Sequence, residues 1–138
     1  MFLDANILFS AAYRPDAGLR KLWKIPDVEL VTSTYAAEEA RRNLDLPEQR
    51  AALDALLQSV QVLAATPGDP PLMVAVELAE KDRPILAMAV MARASHLLTG
   101  DVRHFGRYYG QTLGGVRILP PAAYLRTCES STAEDASP

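Results

Sequence analysis

A chain of 138 residues, 49% hydrophobic and 22% charged, has the size and balance of one soluble globular domain able to bury a core. Its one cysteine, Cys128, excludes an intrachain disulfide and a cysteine-based zinc site, and with no signal-like N-terminus this suggests a reducing, cytoplasmic setting. Net charge is −3, but the last ten residues, "ESSTAEDASP", hold three acids and no base; the rest is balanced at 14 basic and 14 acidic residues, so attraction for nucleic acid must come from local patches.

In chain order, Met1-Phe2-Leu3 is an unbroken apolar run and reads as the end of a strand buried on both faces. Residues 5–13 read as a helix that "RPDAG" breaks, and 18–25 as a short amphipathic segment carrying Trp23. "VELVTS" (28–33) is a β-branched strand, followed by a helix over 34–46 capped by Ser33 or Thr34. Pro47 suits the start of the next helix, "EQRAALDALLQSV", with Leu53, Leu56 and Leu57 on one face. A third strand (60–64) leads into a Pro/Gly-rich linker (65–71), a weak helix (72–80) and a nearly wholly apolar one (84–94). The run from Ile85 to Ala92 is far too short to span a bilayer, so no membrane association is expected. A fourth strand (96–100), a short helix near Val102, a fifth strand (115–119) and a last helix, "PAAYLRT", complete a domain over 1–128; residues 129–138 are expected to be a disordered acidic tail. Strands alternating with helices predict an α/β fold, a parallel sheet covered on both faces.

An ionised carboxylate at the tip of a buried strand is costly unless something pairs with it, so Asp4 demands an explanation. Asp101, after strand four in "LLTGD", is expected at the same sheet edge, beyond the carboxyl ends of the strands where ligands bind in such folds. Singly, Asp101 and Asp82 are ordinary N-caps and Glu39 an ordinary solvated charge. Together, four converging carboxylates would repel and raise one another's pKa values unless a divalent cation neutralised them. Hard oxygen ligands suit Mg²⁺ or Mn²⁺, and such an ion suits phosphodiester hydrolysis.

The segments "FLDANIL", "TYAAEEARRNL", "KDRPILAMAV" and "HLLTGDVRHFG", in that order, resemble the PIN-domain nucleases, which include the VapC-type toxins of bacterial toxin–antitoxin pairs; the resemblance spans roughly residues 1–126. It implies a PIN-like three-layer α/β/α sandwich with a central, mostly parallel five-stranded sheet, and a Mg²⁺- or Mn²⁺-dependent endoribonuclease. The family's four acids fall on Asp4, Glu39, Asp82 and Asp101, with Asp4, Asp82 and Asp101 expected to hold the metal. Asn6 and the hydroxyl residue Thr99 are expected to support them. The register favours Glu39 over its neighbour Glu38 without excluding Glu38.

Arg41 and Arg42, and Arg103, His104 and Arg107, flank these acids and are candidate contacts for an RNA backbone, against the alternative of solvated helix faces. His104 is a weak candidate for a metal ligand because carboxylates already account for the site, and His96 is expected to be structural. The apolar surplus on 5–13 and 18–25 (Ile7, Leu8, Phe9, Tyr13, Leu19, Leu22, Trp23) suggests a homodimer, as does the resemblance. Expected partners are thus an RNA substrate, a second copy and, for a toxin, a small antitoxin. Competing readings are a free-standing RNA-processing nuclease, an inactive scaffold, and a phosphoacceptor domain using Asp4. The last is disfavoured because no second acid follows Asp4 closely.

Overall fold

In the computed structural model, which describes residues 1–64 and 76–136 and side chains as far as Cys128, the sheet is built around a strand only two residues long. Both side chains of β1 (Phe2–Leu3) are fully buried. On one side β1 pairs with β2 (Leu30–Ser33), which pairs in turn with β3 (Val60–Leu63). On the other it pairs with β4 (His96–Leu98), and beyond that lie β6 (Val116–Leu119) and β5 (Thr112–Leu113). The order is β3-β2-β1-β4-β6-β5, parallel except for the final pair. The chain steps outward from β1 to β3 and then returns to the far side of β1 for β4. The β1–β4 junction is therefore a topological switch point, where a crevice opens beyond the strand ends.

Helices α1 (Ala5–Tyr13), α2 (Thr34–Asn43) and α3 (Pro47–Leu57) pack together, while α4 (Arg83–Met91) packs on β2 and β4. Right-handed crossovers put these two groups on opposite faces, giving three layers. Small buried residues, Ala11 on α1 and Ala36 and Ala40 on α2, let those helices approach closely. Every residue from Ile85 to Ala89 on α4 is buried, as its apolar run requires. A short α5 (Val102–Phe105) and a long α6 (Pro121–Ala136) complete the chain.

Several boundaries differ from expectation, for physical reasons. The sheet has six strands, not five, because Gly114 and Gly115, both at positive φ (58° and 84°), form a tight turn that folds Thr112–Leu113 back onto β6. β2 begins at Leu30, after Asp27 adopts a left-handed φ of 62°. α2 stops at Asn43 rather than 46, since Leu44 turns into the core and Leu46 is extended before Pro47. The linker at 65–71 and the start of the weak helix at 72–80 lie outside the described residues, and 76–79 are irregular rather than helical. The side chains of the 129–138 tail also lie outside them. Ile7, Leu8 and Leu22 are buried in the chain's own core, and Phe9, Leu19 and Trp23 pack against it. The indole N–H of Trp23 donates to the Leu56 carbonyl at 3.0 Å. Of the apolar surplus that suggested a dimer, Tyr13 is the member left mainly exposed.

The end of α4 yields a stability test. Arg93 N–H donates to the Val90 carbonyl (3.0 Å) and Ala94 N–H to the Ala89 carbonyl (3.1 Å), a Schellman closure that holds Arg93 at φ 55°. An L-residue is strained there and glycine is not. Arg93→Gly should therefore stabilise the protein by about 0.5–1 kcal/mol in urea denaturation, offset in part by the greater flexibility of unfolded glycine. A lower urea midpoint would mean that the Arg93 side chain contributes more than its backbone strain costs.

Candidate active site

The switch point positions Asp4. It follows β1 directly, its backbone N–H donates to the Leu98 carbonyl of β4 (3.1 Å), and it is 4% exposed. Oδ1 caps α1 by accepting the Ala5 N–H at 2.6 Å. Oδ2 accepts the Thr99 hydroxyl at 2.8 Å and the Asn6 amide at 3.1 Å. Thr99 is fully buried; its Oγ1 also accepts the Asp101 N–H at 3.1 Å, and its carbonyl accepts the Tyr109 hydroxyl at 2.7 Å. Asn6 Oδ1 in turn accepts the Gly100 N–H at 2.7 Å. A Cβ on Gly100 would meet that same oxygen at 3.3 Å, so the bare glycine backbone lets the two strand ends close. Asn6 and Thr99 thus brace Asp4 and tie the loop after β4 to the start of α1.

Even so braced, the Asp4 carboxyl is pushed up from its ordinary value near 3.8 to about 6, chiefly by loss of water and further by the charges of Asp82 and Glu39. Burial also raises Asp82, though His104 and Lys81 oppose the shift. A cleft of about 460 Å³ is lined by Asp4, Asn6, Phe9, Glu39, Asn43, Lys81, Asp82 and Asp101. Glu39 is half-buried on its wall; Glu38 is exposed and does not line it. The Tyr35 hydroxyl donates to the Lys81 carbonyl at 2.8 Å, which ties α2 to the turn bearing Asp82.

Asp82 stands at the N-cap of α4 yet its side chain caps nothing, and its buried Oδ2 has no hydrogen bond. The simple capping explanation therefore fails for this acid. Asp101 does cap α5, Oδ1 accepting the His104 N–H at 3.2 Å, while Oδ2 lies 2.7 Å from His104 Nδ1. The same Nδ1 is 3.1 Å from Asp82 Oδ2, and one ligand atom from each of Asp82, Asp101 and His104 lies within 4.8 Å of the others. Two buried or half-buried carboxylates, one of them with an orphaned oxygen, and an imidazole nitrogen form a donor set that fits a divalent cation.

The flanking basic residues divide. Arg41 pairs with Asp54 across α2 and α3, and Arg107 pairs with Glu77. Arg42 and Arg103 are exposed, and neither lines the cleft. His104 turns inward onto the acids. His96 packs edge-on against Tyr124, with ring centroids 5.1 Å apart, and its Nδ1 is 2.9 Å from Ser95 Oγ. Lys81 and Asn43 line the cleft without having been singled out by sequence, and so does Phe9, which the sequence offered only as apolar surface. Lys81 had a visible signal, since it directly precedes Asp82.

The architecture is a mostly parallel α/β sandwich with an acid-lined cleft at its switch point, and solved structures share it. VapBC2 from Rickettsia felis, bound to a DNA fragment from its promoter, has a chain that superposes with a TM-score of 0.61 at 14% identity, covering 86% of this chain and 96% of its own. FitAcB from Neisseria gonorrhoeae gives a TM-score of 0.55 at 18% identity, covering 88% and 97%. No family model and no curated protein matches the sequence.

The raised Asp4 carboxyl makes a pH prediction. A carboxyl whose pKa is higher folded than unfolded binds protons more tightly when folded, so its contribution favours folding at low pH and falls as pH rises through about 6. The metal-free protein should lose on the order of 3 kcal/mol by this route between about pH 4 and 7. Asp4→Asn should remove that part of the slope in chemical denaturation across this range. Parallel pH profiles for the two proteins would show that Asp4 is not destabilised by burial.

Proposed function

We propose that the chain is a metal-dependent endoribonuclease of PIN type, the toxin of a type II toxin–antitoxin pair. The observation that carries the nuclease reading is the convergence of Asp4, Glu39, Asp82 and Asp101 on one cleft at the β1–β4 switch point. The toxin reading is supported by the resemblance of the acid motifs to VapC-type toxins and by the likeness of the fold to VapBC2. A small antitoxin is then the expected partner. The exposed Tyr13, beside Leu46 and Gln49 in a second groove, leaves a surface for a further chain, either the antitoxin or a second copy.

Asp4, Asp82 and Asp101 would hold a Mg²⁺ or Mn²⁺ ion, which would supply positive charge against a scissile phosphate and lower the pKa of water. The chain's own groups do the rest. Thr99 and Asn6 fix the orientation of Asp4. Glu39, on the wall formed by α2, is the candidate to take the proton from the attacking water. Lys81 stands at the cleft as a cation for the RNA backbone, and exposed Arg42 and Arg103 extend that attraction outward. Arg41 and Arg107 would have to leave Asp54 and Glu77 to join them.

The test is cleavage of total cellular RNA with and without Mg²⁺ or Mn²⁺, followed by sequencing of the new ends. Asp101→Asn should lower the metal-dependent rate at least about a hundredfold while the fold is retained by circular dichroism. Glu39→Gln should cost far more than Glu38→Gln, because neighbours on a helix point about 100° apart. Full activity in Asp101→Asn, or cleavage indifferent to chelation, would overturn the proposal. Phosphorylation of Asp4 by a small phosphodonor, without cleavage, would favour the phosphoacceptor reading.

A further inference from the structure

Asp82 and Asp101 meet at a ring nitrogen. Nδ1 of His104 lies 2.7 Å from Asp101 Oδ2 and 3.1 Å from Asp82 Oδ2. That nitrogen carries at most one hydrogen, so it can satisfy only one of the two oxygens at a time. Asp82 Oδ2 is left buried with no hydrogen bond, an expensive state for a carboxylate oxygen. His104 is held in place by its own backbone, whose N–H donates to Asp101 Oδ1 at 3.2 Å, and the next residue, Phe105, is fully buried. The ring is therefore fixed against the two acids rather than free to reach out to a polynucleotide.

We propose that His104 is a ligand of the cation beside the cleft carboxylates, making the site a mixed carboxylate and imidazole one that prefers Mn²⁺ over Mg²⁺. The proposal rests on the cation-dependent reading of the same cleft. With its proton on Nε2, the neutral ring turns the Nδ1 lone pair toward the space bounded by Asp82 Oδ2 and Asp101 Oδ2. Adjacent ligands of an octahedral ion with bonds of about 2.1 Å stand about 3 Å apart. The separations of 2.7 and 3.1 Å bracket that spacing, so Nδ1 stands at ligand distance from an oxygen of each acid. The chemical consequence is selectivity. Carboxylate and water oxygens suit Mg²⁺ and Mn²⁺ alike, whereas an imidazole nitrogen is a better donor to a first-row transition ion. The contrary role for His104 is a counter-ion that balances the acids and contributes nothing to the bound metal.

Ion binding and spectroscopy separate these roles without any measurement of activity. The full-length protein, stripped of metal by chelation, is titrated calorimetrically with manganese chloride and with magnesium chloride, as wild type and as His104→Asn. Electron spin-echo modulation is recorded on the Mn²⁺-loaded forms. Wild type should bind Mn²⁺ about tenfold or more tightly than Mg²⁺. His104→Asn should lose about tenfold in Mn²⁺ affinity and less than about threefold in Mg²⁺ affinity. Wild type bound to Mn²⁺ should show nitrogen modulation from an imidazole, absent in the variant. Mn²⁺-loaded wild type without nitrogen modulation, or equal losses for both ions in the variant, would overturn the ligand role while leaving the cation site standing. Failure of wild type to bind either ion would remove the cation reading of the cleft and the ligand role with it. If His104→Asn is unfolded by circular dichroism, the modulation of the wild type decides the question alone.

Discussion

The fold turns on one carboxylate that is almost wholly buried. Asp4 stands where a strand of only two residues meets its neighbour across the switch point, and its oxygens hold Ala5, Asn6 and Thr99 together. Those bonds start α1, fix the loop after β4 and so set the position of Asp101. Yet they do not repay the burial, since the Asp4 carboxyl remains pushed up to about 6. A charge kept in such a place at a cost to stability is the expected signature of a functional site.

The rest of the cleft repeats this tension at shorter range. Asp82 has given up the capping bond its position offers and keeps a buried oxygen without a hydrogen. Asp101 keeps its capping bond but turns its second oxygen to the imidazole that also faces Asp82. Each acid therefore has one structural duty at most and one oxygen directed toward the others or the cleft. That division lets the apo protein fold with its acids close together. It also explains why the proposed nuclease needs few dedicated polar groups beyond the scaffold itself. Under the proposed nuclease reading, attraction for RNA would fall on Lys81, Arg42 and Arg103, because ion pairs engage Arg41 and Arg107.

Much of this was legible in the sequence. Apolar runs at Phe2–Leu3 and Ile85–Ala89, a cap at Ser33 or Thr34, which the structure puts at Ser33, and Pro47 define elements whose periodicity and punctuation are local. The chain-order alternation likewise conveys the parallel sheet. Harder to read were features that depend on two distant segments. The pairing of Thr112–Leu113 with β6 was signalled only by Gly114-Gly115, flanked by too few residues to look like a strand. The surplus apolar surface on α1 and the 3₁₀ helix after it (Gly18–Lys24) could not be told from core without knowing that α2 and α3 cover it. The surroundings of His104 were hidden for a related reason. Three residues after Asp101 it looks like a solvent-facing base, and only the return of the chain through Asp82 gives it a second carboxylate.

The claim on which all of this converges is that the cleft acids hold a divalent cation. Crystals of the metal-free protein soaked in manganese chloride and measured for anomalous scattering address it without reference to any substrate. The expected result is a peak in the cleft within about 2.3 Å of carboxylate oxygens of both Asp82 and Asp101. A map with no peak there, at Mn²⁺ concentrations that fill other sites on the protein, would contradict it.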